Sequence, residues 1–405
     1  MNQRVARTLV AGRALRGFVD GSVAVLLPAY LLALGHDSFD VGVIGTVTLL
    51  GSALATLAVG AWGHRTPQRR LLLGAALLMA ATGAAFASFS AFWPLLVVAF
   101  VGTLNPGSGD VSLFLPLEHA RLAGLAHTSA ERTTLFAHYS LAGSLAAAFG
   151  ALSVGLPAWL STRTGIALID GLRCMFVLYA LVGLAIWVLY RRLPDAAVSE
   201  HPNAALAAPA PPTPLGPSRA IVVKLAALFS LDSFAGGLVL NSLLSLWLMQ
   251  RFELSLASTG AFFFWTGLAS AASQLVAPWL AQRIGLLNTM VFTHIPANLC
   301  LVAAALSPTL PLALALLLVR ALLSQMDVPT RTAYVMSVVT PPERSAAASF
   351  TAVPRSLAAA ASPALAGAMF AAGWLAAPLV LCGLLKIGYD LTLWWACRGH
   401  PLKGD

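Results

Sequence analysis

Two ionisable residues stand deep inside apolar stretches, with no opposite charge nearby on their own segment. They are Asp232, in KLAALFSLDSFAGG, and Arg355, in SFTAVPRSLAAAA. A charge in hydrocarbon is costly, so each is read as functional, with a partner to be named. On a helix Asp232 lies about 12 Å beyond Lys224, well into an apolar core. A carboxylate in that setting can take up and release a proton, which is the chemistry of a proton-coupled carrier. Arg355 lies about 16 Å beyond Arg344, near a bilayer midplane. Its guanidinium keeps its charge, so it needs either a fixed carboxylate, for which Asp232 is the candidate, or an anionic solute.

Other polar groups recur at helical spacing. Arg320, Ser324, Asp327, Arg331 and Tyr334 are 4, 3, 4 and 3 residues apart, one face of a helix, with Asp327 and Arg331 able to pair one turn apart. Asp327 falls nearer the end of its segment than the middle, which suits a gate network. Asp20 follows Arg16 by four residues, so a local pair is expected there, with a coupling acid as the functional alternative. Asp170–Arg173 and Lys386–Asp390 read as further local pairs. The run Asn105-Pro106-Gly107-Ser108-Gly109-Asp110 can break a helix, as carrier substrate sites often require. His138, Tyr139 and His294 read first as helix-to-helix hydrogen bonds, with substrate contact a second possibility for His138 and Tyr139.

The elements that position these groups follow from composition. Hydrophobic residues make up 59% of the 405 and charged residues 10%, which excludes an ordinary soluble domain. Twelve apolar spans are predicted, near 15–35, 41–62, 71–90, 93–116, 133–156, 168–190, 221–248, 257–280, 286–306, 311–339, 345–371 and 374–397. Lys and Arg gather in alternate short loops, so both termini are expected on the cytoplasmic side. The +9 net charge is therefore topogenic and implies no nucleic-acid partner. The Pro/Ala-rich stretch 193–218 reads as a cytoplasmic linker between an N-terminal bundle (1–192) and a C-terminal bundle (219–405). Trp93, Trp159, Trp374, Trp394 and Trp395 fall at span ends, as interface anchors do. The four cysteines have no ligand spacing and read as small apolar residues. The first apolar segment is long enough to remain as an anchor and not be cleaved. No phosphate loop, His-Glu-x-x-His helix or Cys-x-x-Cys occurs, so no cofactor or metal is expected.

The chain also repeats itself. ERTTLFAHYSLAGSLAAA opens at Glu131-Arg132 and ERSAAASFTAVPRSLAAA at Glu343-Arg344, an offset of 343 − 131 = 212. Asp20 and Asp232 share that offset (232 − 20 = 212), and Asp110 and Asp327 lie 217 apart. A repeat of this kind predicts two bundles with the function between them. The loop after span two carries Gly60, Arg65, Arg69 and Arg70, and the loop after span eight carries Arg283 and Gly285. With twelve spans, two repeats and a central linker, these loops resemble the major facilitator superfamily. The chain departs from that family's loop pattern at the acid, which is His64 in the first copy and Gln282 in the second. The resemblance implies an all-α fold of two six-helix bundles, each of two inverted three-helix repeats. It implies cytoplasmic gates built from Gly60, Arg65, Arg69, Arg70 and Arg283, and from the pairs Glu131-Arg132 and Glu343-Arg344, with Asp110, Asp327 and Arg331 in the same role.

The function expected is secondary transport of a small solute by alternating access, with protons as coupling ion through Asp232 or Asp20. Arg355, Arg320, Asn105, His138 and Tyr139 are the candidate substrate or charge-pair residues. Export is favoured by the resemblance; the family's antiporter motif is missing from 150–157 but partly echoed by Ser362-Pro363 and Gly367, which leaves proton-coupled or facilitated uptake of a small metabolite, anionic or neutral, as the alternative. A membrane enzyme would need a nucleophile and base clustered at one depth, and the sequence shows only scattered residues; a transporter-like sensor is the other rival. The composition, rich in Ala, Leu, Arg and Pro and poor in Lys, points to a bacterial genome, so a bacterial inner membrane is the expected location, and the protein is expected to work as a monomer in the lipid bilayer.

Overall fold

The computed structural model describes residues 2–107, 113–125, 128–194, 216, 218–339 and 343–398. The described residues are all-helical: α1 (Asn2–Ala33), α2 (Ser38–Trp62), α3 (Gln68–Ser88), α4 (Phe92–Val101), α5 (Phe114–Leu125), α6 (Ser129–Ser153), α7 (Leu156–Thr164), α8 (Leu168–Tyr190), α9 (Arg219–Gly237), α10 (Asn241–Phe252), α11 (Leu256–Ile284), α12 (Leu286–Ala305), α13 (Leu310–Ser324), α14 (Asp327–Val338), α15 (Arg344–Ala361), α16 (Pro363–Ala371) and α17 (Ala377–Cys397). Among the described residues, nine helical stretches are long and apolar enough to cross a membrane. The other three expected spans, 93–116, 311–339 and 345–371, are each divided into two shorter helices. The sequence gives the cause in each case. Pro106 removes a backbone donor and pushes Asn105 out of helical geometry, Pro329 sits in the first turn of α14, and Pro363 opens α16.

The chain forms two compact units, Met1–Ala204 with Leu240–Phe264, and Ala205–Val239 with Trp265–Asp405. In the first unit α1 packs most extensively on α6, and α3 on α8; in the second α9 packs on α15, and α12 on α17. The hydrogen bonds show the same register twice. Ser22 Oγ donates to the Gly150 carbonyl at 2.8 Å, and Ser362 Oγ donates to the Phe234 carbonyl at 2.6 Å. Phe234 follows Ser22, and Ser362 follows Gly150, by the offset of the sequence repeat. Small residues allow these helices to approach closely: a Cβ on Gly150 would lie 1.8 Å from the Phe18 carbonyl oxygen, and one on Gly21 2.1 Å from that of Ala147.

Packing is inverted relative to a soluble protein. Large apolar side chains such as Leu181, Leu275, Phe292 and Leu299 point outward, while Arg16, Asp20, Glu118, Asp232, Asp327, Arg331, Lys386 and Asp390 are buried. Trp93, Trp159, Trp374 and Trp395 are exposed at helix ends, where interfacial anchors belong. The second-unit core gathers Val222, Phe229, Tyr334, Tyr389 and Leu393 around the buried charges. Within the first unit the broken fourth span is satisfied locally, since the Pro106 carbonyl accepts from the backbone N–H of Ser242 at the start of α10, at 3.1 Å. Asn105 is buried, and its Oδ1 accepts from the Gly107 N–H at 3.3 Å.

Candidate functional site

The buried charges form two networks, one in each unit. In the first, Arg16 of α1 meets Glu118 of α5 with both guanidinium ends, one of them at 2.7 Å. Tyr139 of α6 and Tyr190 of α8 both donate to the same carboxylate. Arg16 also lies over the Phe114 ring, 4.1 Å from its centroid. Four helices are thus tied through one fully buried carboxylate, and a bidentate pair with extra donors is the form in which a buried ion pair is best satisfied. Arg16 is therefore not the local partner of Asp20, as its spacing suggested. Side chains on a helix lean toward its N-terminus, so a base followed by an acid one turn on is the weaker order. Asp20 is buried instead beside Tyr179, whose hydroxyl donates to the Thr103 carbonyl at 2.9 Å.

The second network gathers around Asp232 of α9. Lys386 of α17 places Nζ 2.6 Å from Oδ1, and Arg331 of α14 places Nη2 3.0 Å from Oδ2. Arg331 also pairs with Asp327 one turn earlier, acid first, the favourable order. Next to this set, His294 Nδ1 of α12 lies 3.0 Å from Asp390 of α17. The expected Lys386–Asp390 pair is thus replaced by two cross-helix contacts, again because it has the base first. Nor is Arg355 the close partner of Asp232: its Nε donates to Ser233 Oγ at 3.3 Å, while both Asp232 oxygens belong to Lys386 and Arg331.

Polarity separates the two networks. In the first, the base stands on α1 and the acid on the fourth span; in the second, the acid stands on α9 and the base on α14.

The other candidates are dispersed. Arg320 is on α13, beyond the break at Gln325-Met326, so the five-residue stripe is interrupted and Arg320 lies beside Cys300 and Cys382 instead of Asp327. His138 is exposed on α6, whereas its neighbour Tyr139 joins the Glu118 network. Gly60 has open space where a Cβ would stand. Arg65 and Arg70 are exposed, Arg69 Nη2 donates to the Arg191 carbonyl at 2.7 Å, and Arg283 lies 4.2 Å from the Trp279 ring centroid. Glu131 closes a capping box with Thr128 at the start of α6, and Glu343 Oε1 accepts from the Gly216 N–H. Asp110 and the side chains of Arg132, Arg344 and His64 lie outside the described residues.

Sequence reasoning missed Glu118 altogether, and it missed Lys386 as the partner of Asp232. Glu118 fell just past the predicted end of span four. The signal that could have found it is the apolar run on both sides, Phe114 to Leu125, which marks a second half-helix after the break.

A family model described as Major Facilitator Superfamily matches residues 9–326. The chain belongs to that superfamily. A relative from Saccharomyces cerevisiae, the uncharacterized membrane protein YJR124C, is 24% identical over 419 residues, 96% of this chain and 93% of its own. The crystal structure of a D-xylose-proton symporter superposes with a TM-score of 0.75 at 16% identity, over 96% of this chain and 97% of that one. That of the human organic anion transporter MFSD10 (TETRAN) gives 0.64 at 20%, over 97% and 99%. The fold is thus that of superfamily transporters. As a member, the chain is a multi-pass membrane protein that transports a small solute and is not an enzyme.

Proposed function

We propose that this chain is a proton-coupled exporter of a small solute, with Asp232 carrying the coupling proton. One observation carries the reading: Asp232 is buried and held by two cations from two other helices. A proton can bind it only when Lys386 and Arg331 give way, so protonation and helix rearrangement become one event. Lys386 turns to Asp232 and leaves Asp390, one turn along its own helix, to His294; His294 and Arg355 are the other titratable or charged groups around the acid. Entry of water or solute weakens the pairs, Lys386 withdraws, and Asp232 takes up a proton. Loss of that proton restores the pairs and returns the carrier to its other state. Arg331 stays anchored by Asp327 throughout.

Export is supported by the Ser362-Pro363 break, the partial echo of the antiporter pattern, which in the structure separates α15 from α16. Loop charge supports cytoplasmic termini and an inner-membrane location in a bacterium. The repeat within one chain supports a monomer, with bundles 1–192 and 219–405 joined by 193–218. Flux in liposomes under an imposed pH gradient tests the reading: solute should move against the proton flow. Flux indifferent to the gradient would overturn coupling, and movement with the protons would overturn export.

A further inference from the structure

We propose that Arg355 binds the carboxylate of a singly charged organic anion, and that this anion is the transported solute. The inference deepens the transport reading above and rests on it for the last clause only.

Among the described residues, the carboxylates around Arg355 are already engaged. Asp232 is held by Lys386 and Arg331, Asp327 by Arg331, and Asp390 by His294. Arg355 is left with one neutral partner, Ser233 Oγ, on its Nε. Among the described residues its two Nη groups have no hydrogen-bond acceptor, and neither is sealed from the surface, unlike Nε of Arg331 and of Arg320. They are therefore open donors on an arginine set inside a membrane span. Arg355 also stands away from the lipid edge of α15. Phe350 and Leu357, both outward-facing, lie about 140° and 160° from it around the helix at ~100° per residue. An unpaired guanidinium cannot face hydrocarbon, so this side of α15 faces water or solute.

The class of anion follows from geometry and charge. With Nε occupied by Ser233, the guanidinium offers its end-on pair, Nη1 and Nη2, whose spacing matches the two oxygens of a carboxylate. Around Arg355, Lys386 and Arg331 neutralise Asp232 and Asp327. Arg355 then contributes one uncompensated positive charge. A monoanion balances it, whereas a dianion would leave excess charge in a low-dielectric site. Anionic lipid headgroups share this oxyanion chemistry, so the test includes them.

Purified wild-type protein in neutral detergent at about pH 8.5, where inorganic phosphate is a dianion, is titrated with acetate, lactate, benzoate and octanoate, with benzamide as neutral control and phosphate as dianion, and its Tm is read. At least one carboxylate should raise Tm, benzamide should not, and phosphate should act more weakly. R355Q should weaken that carboxylate roughly tenfold or more, the loss expected of a charge-assisted pair, and R355K should fall between. If R355Q does not fold, the wild-type panel and R355K still decide. No shift with any carboxylate, an equal shift in R355Q, or phosphate stronger than every carboxylate overturns the assignment. Stabilisation by phosphatidylglycerol vesicles alone overturns the small-solute source. Uptake of the stabilising carboxylate is then measured in liposomes: binding at Arg355 without flux sinks the transport reading while leaving the site standing, and flux of neutral solutes without carboxylate binding sinks only the site.

Discussion

Lys386 reaches from α17 to Asp232 on α9, 2.6 Å away, and leaves Asp390, one turn along its own helix, to His294. The lysine is therefore a bridge between helices.

Asp232→Asn should abolish proton-driven flux and flatten its pH profile while keeping solute binding or exchange, since the amide mimics the protonated acid. Counterflow and gradient-driven flux in liposomes separate these outcomes. A variant with wild-type rate and pH profile would make Asp232 structural.

Lys386→Met should destabilise the protein by about 3–5 kcal/mol, because it strips one buried partner from a carboxylate. Adding Asp232→Asn should recover most of that loss, since both buried charges are then gone. Thermal unfolding of the single and double variants measures the coupling; additive losses would mean that the contact contributes nothing.

Glu118→Gln should cost a similar ~3–5 kcal/mol by leaving Arg16 buried against a neutral amide. The pH profile of any remaining transport should not change, because this carboxylate is locked by an arginine and two tyrosines. A shifted profile would give the first network a share in coupling.

Gly150→Ala should destabilise by about 1–3 kcal/mol, since its Cβ would stand 1.8 Å from the Phe18 carbonyl oxygen and must push α1 from α6. Gly60→Ala, inside α2 at a position with open space, should raise stability slightly, by up to about 1 kcal/mol. Melting temperatures of the two variants test the contrast.

The helical class, the break at Pro106 and the burial of Asp20, Asp232 and Asp327 were legible in the sequence, because each follows from composition or local backbone chemistry; the divisions of spans 311–339 and 345–371 were not read there, because each reads as one apolar stretch. Partners were legible only in part. Four pairs within single helices were expected. Asp170–Arg173 and Asp327–Arg331, with the acid first, form. Arg16–Asp20 and Lys386–Asp390, with the base first, do not, and their members find partners on other helices. The spacing was right in all four cases; the direction in which helical side chains lean decided between them. Glu118 was not legible because the broken fourth span hid the half-helix that carries it.

The opposite polarity of the two networks bears on how a duplicated chain assembles. Newly inserted helices of both halves share one bilayer, and greasy surfaces alone do not tell α1 from α9. If α1 docked on α14, Arg16 would meet Arg331; if α9 docked on α5, Asp232 would meet Glu118. Like charges about 4 Å apart repel by about 4 kcal/mol at an effective dielectric near 20. The opposite polarity thus penalises docking a helix in the wrong half. Exchanging the first pair as R16E with E118R gives both halves the same polarity, so the yield of correctly folded protein should drop.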